Sequence, residues 1–267
     1  MNLGNLRSRL LVGLVLAVVS IFSYFSKMQV NPVTGKRQAV TMTPQQEISM
    51  GLQSAPQMAA EFGGLYQNQK LQDLVKTIGS KVVNNSEASK SPYQFNFYLL
   101  ADPNTINAFA LPGGQIFITY GLLRKLTTED QLAGVLGHEV GHVIGRHSAQ
   151  QMAKDELTSG LLSAAVTATS DPYSHNNSAA IAQYVGKMIT LKYGRSDELE
   201  ADKFGVKYML EAGYDPMQMV DVMEVLKQAA GPNRPSEFQS SHPDPDHRIQ
   251  EIKKALEQYK KTGKLEW

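Results

Sequence analysis

Residues Thr128–Gly145 read TEDQLAGVLGHEVGHVIG. The opening Thr128-Glu129-Asp130-Gln131 has the form of a capping box, a threonine followed three residues later by a glutamine. Apolar Leu132, Val135, Leu136, Val140, Val143 and Ile144 follow at helical spacing, so the stretch predicts a long helix from about Glu129 to Lys154. His138 and His142 lie four apart within it and share one face, where two imidazoles can reach one ion. Glu139 is rotated about 100° from His138, off the metal but beside a water on it. Two neutral histidines with an adjacent carboxylate as general base is the arrangement of a metal-dependent hydrolase.

Zinc needs a third protein ligand. One motif class adds a glycine three residues after the second histidine and a third histidine three residues later. Gly145 fills the first position, but the second is Ser148, and His147 falls one residue short. On a continuous helix His147 points about 140° away from His142, as a surface or packing residue. A later carboxylate is the other solution, a two-histidine, one-glutamate site. Ser196-Asp197-Glu198-Leu199-Glu200-Ala201-Asp202 supplies it. Glu198 and Asp202 share a helix face, Glu198 to bind metal and Asp202 to accept a hydrogen bond from a ligating imidazole. Glu200 faces the other way, toward solvent.

The remaining chain predicts an α+β fold, mainly helical. Thr43-Pro44-Gln45-Gln46 starts a helix that runs to Phe62, and a second fits Gln67 to Asn84. Alternation from Tyr93 to Leu100, then Asn107–Ala110 and Gln115–Tyr120 around the turn Pro112-Gly113-Gly114, predicts three strands in a small, mostly antiparallel sheet. Ser170–Asn177 reads as a loop between helices. Further helices are expected from about Ser196 to Ala212, onward to Ala230, and from Asp246 to Tyr259. Gly231–Pro245, with four prolines, is expected to be irregular.

The chain has 267 residues, 26 Lys+Arg against 25 Asp+Glu, and no cysteine. The near-zero net charge argues against nucleic-acid binding. The absence of cysteine excludes disulfides, thiolate zinc sites and a cysteine nucleophile. Leu10–Ser26 is an uncharged, 17-residue apolar run preceded by Arg7 and Arg9 and ended by Lys27. This sits between the length of a signal peptide core and that of a membrane span. Residues 1–30 are therefore a signal anchor or a signal peptide, with the basic end in the cytoplasm and the rest exported. Residues 31–42 form a linker and 43–267 the main domain.

HEVGH, followed by Arg195, Glu198 and Asp202 in the pattern Arg-x-x-Glu-x-x-x-Asp, resembles the M48 family of zinc metallopeptidases. The resemblance is to the bacterial envelope group related to protease–chaperones of outer-membrane quality control. Asn107-Ala108-Phe109-Ala110-x-Pro112-Gly113-Gly114 and Ser241-His242-Pro243 with Arg248-Ile249 extend it to roughly Thr43–Leu256.

The resemblance implies a gluzincin fold and one zinc held by His138, His142 and Glu198. It implies Glu139 as catalytic acid/base, with Asp202 as the second carboxylate, described in the family as a proton donor. The implied substrates are unfolded or misassembled polypeptides. Having only the N-terminal hydrophobic segment, the chain resembles the periplasmic branch, either anchored in the inner membrane or released if the segment is cleaved. Tyr193, Arg195 and His242 are candidates to stabilise the oxyanion, and Arg195 could instead pair with a site carboxylate. His242 could also be an inhibitory fourth ligand or cap the last helix. The strand Asn107–Leu111 could take substrate as an added strand. A chaperone-like binding module with latent cleavage and a closed structural zinc site remain as alternatives. The sequence leaves the oligomeric state open.

Overall fold

A computed structural model describes residues 3–169, 192–229, 237–243 and 245–265. Among these, α1 (Leu3–Ser26) leads into two short strands, β1 (Met28–Val30) and β2 (Arg37–Ala39). Helices α2 (Pro44–Glu61) and α3 (Gln69–Asn84) follow, then β3 (Asn96–Leu100), β4 (Ala108–Leu111) and β5 (Gln115–Thr119). The rest is helical: α4 (Tyr120–Leu123), α5 (Glu129–Gly145), α6 (His147–Thr169), α7 (Arg195–Glu211), α8 (Gln218–Ala229), α9 (Glu237–Ser241) and α10 (Pro245–Thr262). The expected loop at 170–177 lies outside the described residues.

The predicted capping signals set helix starts. Thr43 Oγ1 accepts from Gln46 N while the Gln46 side chain accepts from Thr43 N, the reciprocal pair that the spacing foresaw. Thr128 likewise caps α5 through Gln131 N.

The sheet order is β3-β5-β4. The turn at Pro112–Gly114 makes β4 and β5 antiparallel, and Gly113 and Gly114 supply its positive φ of 83° and 112°. The strand β5 inserts beside β3 in parallel, with Phe97 opposite Ile116 and Leu99 opposite Ile118. The sheet is therefore mixed rather than mostly antiparallel, because the chain crosses between β3 and β4 before the hairpin forms. Period-two alternation sorts its faces. Leu99, Ala108, Ala110, Ile116 and Ile118 pack with α3 and α5. Tyr98, Phe109 and Phe117 stack on the opposite face, where Met58 and Phe62 of the α2 region cover them.

The helix α5 lies at the centre, buried from Gln131 to Gly145. It crosses α7 at glycines. A Cβ at Gly141 would sit 2.7 Å from Ala201 O, and one at Gly205 would sit 3.1 Å from His138 N. Backbones this close leave no room for side chains between the helices, so the functional groups of both must emerge beside the crossing.

Three expectations are corrected. The long helix does not continue to Lys154: Arg146 adopts φ 58° and separates α5 from α6. Its guanidinium holds the break, bonding Glu47 Oε1 at 3.1 Å, Gln29 Oε1 at 3.3 Å and Met42 O at 2.6 Å. Residues 31–42 are not a free linker. The segment carries β2, and Asn31 and Gln38 donate to Ile144 O and Gly145 O, carbonyls that the end of α5 leaves without helical partners. The Pro-rich stretch after Gly231 contains α9, whose Phe238 is buried in the main core.

Candidate metal centre

Beside the α5–α7 crossing, His138, His142, Glu198 and His242 bring one ligand atom each within 4.8 Å of one another, all four residues buried. His138 Nε2 lies 3.0 Å from His142 Nε2 and 3.2 Å from His242 Nδ1. Glu198 Oε1 lies 3.3 Å from His142 Nε2 and 3.0 Å from His242 Nδ1. The helix α5 supplies the first pair one turn apart, α7 supplies Glu198, and His242 follows α9. The stack of Phe238 on the His242 ring at 4.3 Å, and the bond from His242 N to Phe238 O, fix the last.

The outer nitrogens are engaged. His138 Nδ1 is 2.9 Å from Asp202 Oδ1. His142 Nδ1 is 2.9 Å from Nδ1 of His147, whose Nε2 is 3.3 Å from Glu200 Oε2, while Lys36 Nζ reaches Glu200 Oε1 at 2.6 Å. The bonds have one consistent direction. His138 donates to Asp202, His142 to His147, His147 to Glu200, and Lys36 closes the chain. Both Nε2 lone pairs then face each other 3.0 Å apart, which is repulsive unless a cation lies between. Two nitrogens of a tetrahedral zinc site with bonds of 2.0–2.1 Å lie about 3.3 Å apart, close to the spacing here. The oxygens of Glu139 and His242 Nε2 are buried without a hydrogen-bond partner. The donor set fits zinc.

His147 is fully buried, not a surface residue, and Glu200 turns toward it rather than to solvent. The cause is the break at Arg146, which swings His147 back over the end of α5. A Cβ at Gly145 would lie 2.3 Å from His147 Nε2, so only glycine admits the ring.

Arg195 is exposed at the start of α7, and a guanidinium on the site carboxylates comes from Arg248. Arg248 is buried and forks onto Asp202, with Nε to Oδ2 at 2.7 Å and Nη2 to Oδ1 at 2.6 Å. Its Nη1 lies 2.6 Å from Glu198 Oε2. The only sequence signal for Arg248 was its place in the C-terminal segment of the resemblance. The ring of Tyr193 stacks on His142 at 3.9 Å, and its hydroxyl is bonded to Ser148.

Charge follows the geometry. Burial drives the Glu139 carboxyl up, only partly offset by His242 and His138. Burial pushes on Glu198 in the same direction, but His242 and Arg248 hold it well below the carboxylate range. Burial also pushes on Asp202, and Arg248 outweighs it, keeping the carboxyl low. Glu200, also opposed by burial, is brought to about 2 by His147 and Lys36.

A helical fold with two histidines one turn apart and a glutamate from a later helix presents the donor arrangement of the zinc metallopeptidase class. The sequence model of peptidase family M48 matches residues 68–256, and the chain belongs to that family. It is similar to the Beta-barrel assembly-enhancing protease of Yersinia pestis, 29% identical over 266 residues, covering 96% of this chain and 53% of that one. To the protein of that name from Escherichia coli it is 28% identical over 238 residues, covering 85% and 47%. To human Metalloendopeptidase OMA1, mitochondrial, it is 24% identical over 276 residues, covering 99% and 53%. The chain spans about half the length of these three relatives.

Proposed function

We propose that the chain is a zinc-dependent endopeptidase of the cell envelope, held at the membrane by α1, that hydrolyses unfolded or misassembled polypeptides. His138, His142 and Glu198 are its metal ligands. The observation that carries this reading is the convergence of those donors beside a buried Glu139 whose two oxygens have no hydrogen-bond partner. A structural site has no use for such a carboxylate.

Zinc held there supplies a Lewis acid that polarises a peptide carbonyl and acidifies adjacent water. Glu139 takes a proton from the attacking water and returns it to the leaving amine. Asp202 holds His138 through Nδ1, so that Nε2 faces the centre. The strand β4, at the edge of its sheet, offers main-chain groups to an extended peptide. Such binding reads backbone more than side chains, which suits substrates defined by being unfolded. The names of the bacterial relatives point to substrates among assembling β-barrel proteins. The span Ser8–Ser26, 19 residues of mean hydropathy 2.0 with little burial, supports anchoring through α1. The main domain then lies on the periplasmic side of the inner membrane, or free in the periplasm if the segment is cleaved.

Metal content and casein cleavage, measured with and without chelator, test the activity. Zinc near one per chain and chelator-sensitive cleavage are expected. Glu139→Gln should keep zinc and lose about 10²–10⁴-fold in rate. A variant that still cleaves as fast as the parent protein overturns the mechanism.

A second reading concerns His242. Its Nδ1 completes a four-donor cluster, which would close a bound metal to substrate until the ring withdraws. This is the arrangement of a latent protease that serves mainly as a binding module. His242→Ala with higher activity and unchanged zinc supports the latch. Lower activity with unchanged zinc places His242 in transition-state stabilisation instead.

A further inference from the structure

We infer that the second half of α6, residues 157–169, enters the lipid bilayer beside α1, so that the protein meets the membrane through a helix pair rather than through a single tether. The inference rests on the reading of α1 as a membrane anchor.

The two helices run antiparallel and in contact. Lys27, just past the end of α1, pairs with Glu156 at 2.6 Å. Moving down α1 to Ser20 is moving up α6 to Gly160, where a Cβ would sit 2.4 Å from Ser20 Oγ. Charge stops at one level in both. The run Leu10–Ser26 has no charged residue, and neither has 157–169, directly after Lys154-Asp155-Glu156. If α1 spans a bilayer, the Lys27–Glu156 pair marks its surface, and Ser20 lies about 10 Å below it at 1.5 Å per residue. Gly160, four residues past Glu156, lies about 6 Å below it and packs against Ser20. The remaining turns of α6 reach about 20 Å from the charged boundary, well inside a hydrocarbon layer of about 30 Å.

The side chains suit that environment. Leu161 and Leu162 project outward, Leu162 64% exposed, and Leu14, Val18 and Phe22 on α1 are exposed as well. Hydroxyls on both helices return to their own backbones. Ser20 Oγ donates to Leu16 O, Thr158 Oγ1 to Lys154 O and Ser163 Oγ to Ser159 O, each at 2.8 Å. Lipid offers no partner for a hydroxyl, and this bond is the local way to satisfy one there. Small residues at the contact, Ser20 against Gly160, permit the close packing by which helices associate in lipid.

The chain has no native cysteine, so single cysteines can be placed without background. The full-length variants Leu14→Cys, Leu162→Cys and Lys253→Cys are labelled with an environment-sensitive fluorophore. They are reconstituted into phosphatidylcholine–phosphatidylglycerol vesicles with and without nitroxide-labelled lipid. Unchanged helix content and bound zinc show that each is folded. Blue-shifted emission at Leu162, quenched by at least half the factor seen at Leu14 while Lys253 is unquenched, is the expected result. Quenching at Leu14 with Leu162 behaving like Lys253 overturns the inference and leaves the anchor standing. Quenching at neither Leu14 nor Leu162 overturns both. Protection of Leu162 from a water-soluble maleimide without lipid quenching assigns that face to a protein neighbour and overturns the inference too.

Discussion

Arg248 places its guanidinium on the site's carboxylates, touching both Asp202 and Glu198. A buried ion pair deprived of one member leaves an uncompensated charge, at a cost of about 3–5 kcal/mol. Arg248→Met is therefore expected to lower the stability of the metal-free protein by about that much, read from urea unfolding in chelator, with a smaller loss when zinc is bound. His147 acts differently, as the acceptor that orients His142. His147→Leu removes the acceptor and should weaken zinc about 10–100-fold in a competition titration. His147→Asn keeps an acceptor near the Nδ1 position and should recover part of the loss. Equal zinc affinity in all three proteins would show that the contact is packing alone.

At the scale of elements, the crossing of α5 and α7 determines whether the site exists. A side chain at Gly141 meets Ala201 O at 2.7 Å and Ala201 Cα at 3.0 Å, both backbone atoms. Gly141→Val should force α7 outward, cost about 1–3 kcal/mol, and weaken zinc binding because Glu198 moves with the helix. The end of α5 depends on the segment before α2. Asn31→Ala leaves Ile144 O without its side-chain donor, at about 1–3 kcal/mol in denaturant unfolding. Glu47, paired to the left-handed Arg146, carries a pH signature. Burial raises its pKa in the folded state in spite of Arg146. The folded protein then binds this proton more tightly than the unfolded chain, so stability falls as pH rises above 4.5. Glu47→Gln should reduce that fall above pH 4.5, read from urea midpoints.

For the whole molecule, zinc and folding are linked. The facing Nε2 lone pairs of His138 and His142 cost stability without a cation, so the melting temperature should rise with zinc concentration and drop with chelator. A melting temperature indifferent to zinc would contradict the assigned ligand cluster. The route from the N-terminal segment to the site is also continuous. Lys36 reaches Glu200, Glu200 reaches His147, and His147 reaches His142. The stretch that follows α1 is thereby part of the support of the metal centre.

Local chemistry determined much of this by itself. The capping box at Thr43, the N-cap at Thr128 and the turn at Pro112–Gly114 act over three or four residues, so their outcome is written in adjacent letters. The four-residue spacing of His138 and His142 and that of Glu198 and Asp202 likewise settle which side chains share a face. Tertiary structure alone decided the rest. The break at Arg146 needs Glu47, Gln29 and Met42 from a segment about a hundred residues earlier. That break turns His147 from a residue facing away into one that holds His142. The parallel pairing of β3 with β5 and the placing of Arg248 on the site's carboxylates are settled by which segments pack together. No spacing rule reports such contacts, because their energy comes from burial between parts of the chain that are distant in sequence.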